Sequence, residues 1–267
     1  MPTKVFIAGG AGWAGSELSR GVFKHEEMQL AGALSRSHKG KNLAEVLNLG
    51  NGHIPIYADI DTALVECEFD VLVEYTKPNI AKKNILAALN KGKNVVVGTS
   101  GLSEDDYNEI EKAAHANNAS VLAVGNFAIT VVLLQKFSEM AAKYIPNFEI
   151  IDYAHEKKVD APSGTARELA YRLSGIREST IHVPLDKMVG PKETRGARLG
   201  GVQVHSLRLP GHVISIEAIF GLKDERLTIR HDSGSSAEPY VKGALLAIEK
   251  VGTFRGLRRG LDSVMEF

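Results

Sequence analysis

The chain is short of several things, and each shortage closes off a class of protein. It has one cysteine, Cys67, in 267 residues, so an internal disulfide framework is excluded and a reducing compartment is expected. Cys67 stands in ECEFD with no partner base nearby and reads as a bland, half-buried thiol. The 32 Lys and Arg equal the 32 Asp and Glu, so no overall field recruits nucleic acid or an anionic membrane. No apolar run approaches the length of a membrane span. The opening MPTKVFIAGG lacks a long apolar region and a small-residue cleavage site, so it does not read as a signal peptide and cytoplasm is the expected location. The nine histidines are scattered, with no His-x-x-x-His or cysteine cluster at ligand spacing, so no metal site is expected. A basic stripe interleaved with aromatics is also lacking, which leaves nucleic acid without a docking surface.

What is present is an ordinary globular composition, 44% hydrophobic and 24% charged, over a length suited to one or two domains. The first half alternates strand-like runs with helical patterns. The runs are KVFIAG (4–9), MQLAGALS (28–35), HIPIYA (53–58), DVLVEYT (70–76), KNVVVGT (93–99) and SVLAVGN (120–126). Several are continuously apolar, as parallel strands are when both faces are covered. Between them lie GSELSRGVFKH, NIAKKNILAALNKG and SEDDYNEIEKAAHANN, the last opening on an N-cap pattern at Ser103 and Asp106. The alternation predicts an α/β fold with a doubly wound parallel sheet.

After Asn126 the pattern changes. A helix over 129–144 leads into NFEIIDYAHEKK, then a short helix after Gly164 and a polar, glycine-rich segment over 189–201. The alternating runs VQVHSLRLPGHVISIEAIFG (202–221) and ERLTIRHDS (225–233) suit antiparallel strands with one wet face, and define a second, α+β domain with a mixed or antiparallel sheet. A final helix over 243–251 is placed to pack back on the first domain. The expected boundaries are 1–127 for the doubly wound domain, 128–236 for the α+β domain, and 237–267 for a returning C-terminal segment.

GGAGWAG (9–15) follows the first strand and opens the first helix, with Gly9, Gly12 and Gly15 spaced as G-x-x-G-x-x-G. A backbone free of Cβ atoms approaches a pyrophosphate closely, and the free N–H groups and positive dipole end of the helix face that charge. The loop Gly9, Gly10, Ala11, Gly12, Trp13, Ala14 and Gly15 is therefore the candidate cofactor contact, with Trp13 and Ala14 as packing or cover residues. Where an NAD site places a carboxylate for the ribose, this chain has Ser35, Arg36, Ser37, His38 and Lys39. Arg36 with Lys39 and the hydroxyls of Ser35 and Ser37 suits a 2′-phosphate, so NADPH is favoured, with NADH as the second candidate.

AHEKKVDAPSGTA (154–166) is far more polar than a structural loop requires. Ser163, Gly164 and Thr165 stand at the start of a helical run, where hydroxyls and backbone N–H groups make a carboxylate site. Lys158 and His155 add positive charge or donors from the preceding strand end. Ordinary capping and turn roles for Asp160, Ser163 and Thr165 compete with this reading.

FEIIDYAHEKKVDAPSGTA (148–166), the glycine loop, VEYTKP (73–78), VGTSG (97–101), GNF (125–127) and HSLRLPG (205–211) together resemble the dihydrodipicolinate reductase family, in order through nearly the whole chain. The resemblance implies a Rossmann-like nucleotide domain, a substrate domain whose sheet builds a homotetramer, and NAD(P)H-dependent reduction of a cyclic imine dicarboxylate on the diaminopimelate route to lysine. It places His155, Lys158, Ser163, Gly164 and Thr165 on the substrate carboxylates. It places Gly98, Thr99 and Phe127 near the nicotinamide, and adds Thr76, Gly125 and Asn126 to the cofactor contacts.

The family has a His-His pair where this chain has Ala154-His155, and the first histidine is the usual general acid. Three routes for the proton are open: Lys158, a shifted His155, or solvent, of which Lys158 is favoured because one ammonium can both anchor a carboxylate and donate. Ala128 replaces a usual serine, and HDSGSSAEP (231–239) lacks an expected arginine. A related reductase of another carboxylated imine, and a non-catalytic nucleotide-binding protein, remain as alternatives.

Overall fold

The apolar runs of the first half become strands of one sheet. In the computed structural model, which describes residues 1–267, the elements begin β1 (Thr3–Ala8), α1 (Trp13–Lys24), β2 (Met28–Leu34), α2 (Leu43–Val46), β3 (Ile56–Tyr57) and α3 (Ile60–Glu66). They continue with β4 (Val71–Glu74), α4 (Pro78–Leu89), β5 (Asn94–Val97), α5 (Glu104–Ala116) and β6 (Ser120–Ala123). All four residues of β4 are buried, because helices cover both faces of the sheet. Phe6 and Phe69 stack at 4.8 Å in this core, beside Leu72, Ile85, Val95 and Ile110. The start of α5 is a capping box: Ser103 Oγ accepts from the Asp106 amide at 3.2 Å, and the Asp106 carboxylate accepts from the Ser103 amide at 2.9 Å.

The second half supplies α6 (Ile129–Tyr144), β7 (Asn147–Ala154), α7 (Gly164–Ser174), β8 (Ala197–Leu199), β9 (Val202–Arg208), β10 (Ile214–Leu222) and β11 (Glu225–Ser233). Along β7 the odd and even positions part: Phe148, Ile150, Asp152 and Ala154 are buried, while Asn147, Glu149, Ile151 and Tyr153 are half-buried on the opposite face. Leu134 and Ala142 of α6 and Ala166, Leu169 and Leu173 of α7 pack against Phe148, Ile150, Val204, Ile216 and Phe220. The sheet order is β11-β10-β7-β9-β8.

The chain then forms α8 (Val241–Val251) and β12 (Gly256–Arg259). β12 pairs in parallel with β6, which completes a seven-stranded sheet ordered β12-β6-β5-β4-β1-β2-β3. Two compact units result, Met1–Ile129 with Ala237–Phe267, and Thr130–Ser236. No helix is long and apolar enough to cross a membrane.

Three sequence expectations need correction. The run over 202–221 is two strands separated by a turn. β9 runs parallel to β7, whereas every other pair in this sheet is antiparallel. The parallel pair is made possible by the α7 crossover between them. The strand expected over 53–58 contracts to Ile56–Tyr57.

Candidate active site

In the first unit, β1 ends in a turn that only glycine can make. Gly9 has φ of 86°, and a Cβ added at Gly15 would lie 2.1 Å from the Gly9 carbonyl oxygen. Gly12 donates its N–H to that carbonyl at 2.8 Å and caps α1 without a side chain. The amides at the start of α1 are thereby left for an external acceptor. A cleft of about 570 Å³ opens beside this turn, lined by Gly9, Ala11, Gly12, Ser35, Arg36, Ser37 and Thr76, all of them expected contacts. Gly10, Trp13, Ala14, Gly15, Gly98, Thr99, Gly125, Asn126 and Phe127 do not line it. The Trp13 ring meets Tyr240 edge to face at 6.0 Å and is largely exposed.

The deeper residues form a network behind the cleft wall. Thr99 is buried and donates its hydroxyl to the carbonyls of Glu74 at 3.1 Å and Thr76 at 3.0 Å. Phe127 meets Tyr75 edge to face at 5.7 Å, and Gly98 packs against both rings. The Asn126 side chain accepts from the Ala128 amide at 2.9 Å. Ser35, Ser37 and His38 form a hydroxyl–imidazole cluster at 3.0–3.3 Å, while Arg36 makes no ion pair.

Sequence reasoning missed Asp59, Tyr75, Lys77, Lys83 and Asn84, which also line the cleft. Asp59 is engaged: it accepts from the Thr62 amide at 2.9 Å and hydroxyl at 3.1 Å as the cap of α3. Those bonds hold its carboxyl below the usual range. Its Asp-x-x-Thr pattern before ALVE was the available signal.

In the second unit, β7 delivers His155 and Lys158, and α7 begins on the expected residues. Ser163 caps α7, its Oγ accepting from the Ala166 amide at 3.3 Å and its carbonyl from the Arg167 amide at 2.9 Å. The Ser163 amide donates to Asp152 at 2.8 Å. The amides of Gly164 and Thr165 have no acceptor within the chain, and a Cβ at Gly164 would meet nothing nearer than Arg167 at 4.0 Å. Lys158 Nζ lies 2.8 Å from Asp160 Oδ1, and this bond holds the Asp160 carboxyl below the usual range. His155 is exposed. Its Nδ1 accepts from the Lys157 amide at 3.2 Å, which leaves the proton of the neutral ring on Nε2. Ala154 is fully buried at the end of β7.

The two units define a doubly wound α/β protein with a glycine-rich turn, carrying in the same chain a mixed sheet whose crossover helix begins with two acceptor-free amides. Residues 3–127 match the family model described as Dihydrodipicolinate reductase, N-terminus, and residues 130–265 match Dihydrodipicolinate reductase, C-terminus. The chain belongs to the dihydrodipicolinate reductase family. It is 38% identical over 263 residues to the 4-hydroxy-tetrahydrodipicolinate reductase of Bacillus pumilus (strain SAFR-032), covering 98% of each chain. It is 36% identical over 266 residues to that of Geobacillus thermodenitrificans (strain NG80-2), covering 100% of each. A solved structure, dipicolinate-bound dihydrodipicolinate reductase from Paenisporosarcina sp. TG-14, matches with a TM-score of 0.89 at 30% identity, over 99% of this chain and 100% of that one. An amine dehydrogenase from Mycobacterium smegmatis, at 13% identity and a TM-score of 0.66 over 97% of this chain and 95% of that one, shares the fold alone.

Proposed function

We propose that this protein is an NAD(P)H-dependent 4-hydroxy-tetrahydrodipicolinate reductase that adds a hydride and a proton across an unsaturated bond of a cyclic dicarboxylate. The observation that carries this reading is the pair of acceptor-free amides at Gly164 and Thr165, on one turn with Lys158. A helix start with free donors and a nearby ammonium suits a carboxylate.

The nucleotide fits the first unit on structural grounds: the close approach at Gly15, the free amides of α1 and the cleft beside Arg36 leave room and donors for a pyrophosphate. When bound, it supplies the hydride. Gly9 to Gly15 hold the pyrophosphate, Arg36 with Ser35 and Ser37 takes the ribose end, and Thr76, Gly98, Thr99 and Gly125 to Phe127 serve the remainder. NADPH is the preferred form, because Arg36 is unpaired and the nearby carboxylate, Asp59, is committed to its own helix.

Lys158, with Ser163, Gly164 and Thr165, holds the substrate carboxylates, and His155 borders them. Lys158 also donates the proton, in place of the missing histidine at Ala154. The open face of the five-stranded sheet, with Ile151 and Ile219 directed away from the helices, supports assembly into a homotetramer. Light scattering then reads about four times the chain mass of 28.9 kDa.

The test is a coupled assay in which the preceding synthase generates the substrate and NADPH loss is followed. Turnover above background supports the reading. Failure to turn over, together with failure to bind pyridine-2,6-dicarboxylate, overturns it. Turnover only of other carboxylated imines favours a second reading, a related reductase, for which the fully buried Ala154 is the supporting observation.

A further inference from the structure

Asp152 is a fully buried carboxylate on the apolar face of β7, where its neighbours along the strand are Ile150 and Ala154. Its Oδ2 accepts from the Ser163 amide at 2.8 Å, the Ser206 hydroxyl at 3.2 Å and Arg208 Nη2 at 2.8 Å. The same Nη2 donates to the Asp160 carbonyl at 2.6 Å, and Nη1 donates to the Leu207 carbonyl at 2.8 Å. One ion pair therefore grips the turn at two points, Asp160 and Ser163, on either side of Pro162. Asp152 Oδ1 and Arg208 Nε are buried without a partner.

Burying two charges carries a large desolvation cost, and leaving two polar atoms unpaired adds to it. Ser163 already caps α7 with its own hydroxyl, so a merely structural turn has little use for the pair. The placement has a second consequence. The Asp152 carboxylate is bonded to the amide immediately before those of Gly164 and Thr165, so it puts negative charge behind the donors that face an incoming anion. Only Arg208 offsets that charge.

We propose that Asp152 and Arg208 are a positioning pair for carboxylate capture: together they fix the spacing between the Lys158–Asp160 arm and the Gly164 and Thr165 amides, and Arg208 neutralises the charge behind those amides. This rests on the reading of the turn as the substrate-carboxylate site. The pair touches neither substrate nor nucleotide; it acts through Asp160 and Ser163.

The experiment measures dissociation constants for pyridine-2,6-dicarboxylate and NADPH by calorimetry, with amide hydrogen exchange over residues 160–165. Arg208→Met weakens dicarboxylate binding on the order of tenfold to a hundredfold, leaves NADPH binding unchanged, and speeds exchange at Ser163 to Thr165. The double variant Asp152→Asn, Arg208→Met binds the dicarboxylate more tightly than Arg208→Met alone, because the uncompensated charge is gone while the substituted side-chain carbonyl still accepts from the Ser163 amide. A purely structural pair leaves the dicarboxylate affinity of both folded variants unchanged and shows its coupling in stability alone. Native dicarboxylate affinity in folded Arg208→Met, or additive losses in the double variant, overturns the proposal. Should Arg208→Met fail to fold, Arg208→Lys keeps the charge but cannot span Asp152 and the Asp160 carbonyl; weakened dicarboxylate binding supports the proposal and native binding overturns it. If the unaltered protein binds no dicarboxylate, the carboxylate reading itself falls. The exchange rates then decide the clamp separately: faster exchange in the variant supports it and unchanged exchange overturns it.

Discussion

Asn84 donates its side-chain N–H to Glu74 at 2.8 Å, while the other oxygen of that carboxyl takes the Thr76 amide at 2.7 Å and the Thr76 hydroxyl. Glu74 is fully buried and has no cationic partner. It therefore anchors the turn after β4, on which Tyr75, Thr76 and Lys77 line the cleft beside the glycine turn.

Burial pushes the Glu74 carboxyl above its ordinary 4.5, and the bonds from Thr76 and Asn84 work in the opposite direction. A carboxyl raised in the folded state binds its proton more readily there than in the unfolded chain. Its contribution to stability is full at low pH and is lost as pH rises through the folded value. Glu74→Gln removes this dependence, so its deficit relative to the unaltered protein shrinks as pH rises. Urea unfolding from about pH 4 to about pH 7 checks the sign. Glu74→Ala leaves Asn84 and the Thr76 amide unpaired and costs about 1–3 kcal/mol.

Gly15→Ala drives a methyl group into the Gly9 carbonyl. The turn must open, and overpacking of this kind costs about 1–3 kcal/mol. Nucleotide affinity falls by about tenfold or more, since each ~1.4 kcal/mol is a factor of ten. The protein's one tryptophan, Trp13, begins α1, so its fluorescence reports nucleotide titration directly.

Arg36→Ala separates the two nucleotides. A hydrogen bond to a charged group contributes about 1.5–3 kcal/mol, so NADPH binding weakens at least about tenfold. NADH binding changes little. Equal losses for both would remove the 2′-phosphate role of Arg36.

Lys158 has two proposed roles that can be pulled apart. Lys158→Ala lowers kcat/KM by about 10² to 10⁴, the usual worth of general acid catalysis. Lys158→Arg keeps a cation for the carboxylate but holds its proton too firmly to donate, so KM stays near native while kcat falls. Steady-state kinetics with NADPH at saturation separates the two constants.

Much of the doubly wound sheet could be read from residue order alone, because strands buried on both faces show as apolar runs such as VFIA, VLV and VVV. β12 could not: Gly-Leu-Arg-Arg is an edge strand with no apolar run. Its arginines are placed by aromatic rings, Arg258 over Phe254 at 4.5 Å and Arg259 over Tyr107 at 4.5 Å. The direction of β9 was equally hidden, since alternation records burial on one face and says nothing of which way a strand runs.

The same divide holds at the site. Gly9 to Gly15 and Ser163 to Thr165 are contiguous motifs whose chemistry is local. Asp152 and Arg208 are far apart in the chain and meet only because β7 and β9 pair. Asn84 reaches Glu74 from within the next helix, and neither residue type alone marks a cleft wall.

β12 also orders events in time. Ribosomal synthesis delivers β6 next to β5 but long before its second sheet partner, with the whole of Thr130–Ser236 made in between. Until residue 259 has emerged, β6 presents a bare backbone edge, the kind of surface that invites pairing with a neighbouring nascent chain. The second unit, drawn from one uninterrupted stretch, is free to finish first. One edge of β6 therefore stays open until the last strand of the chain closes it.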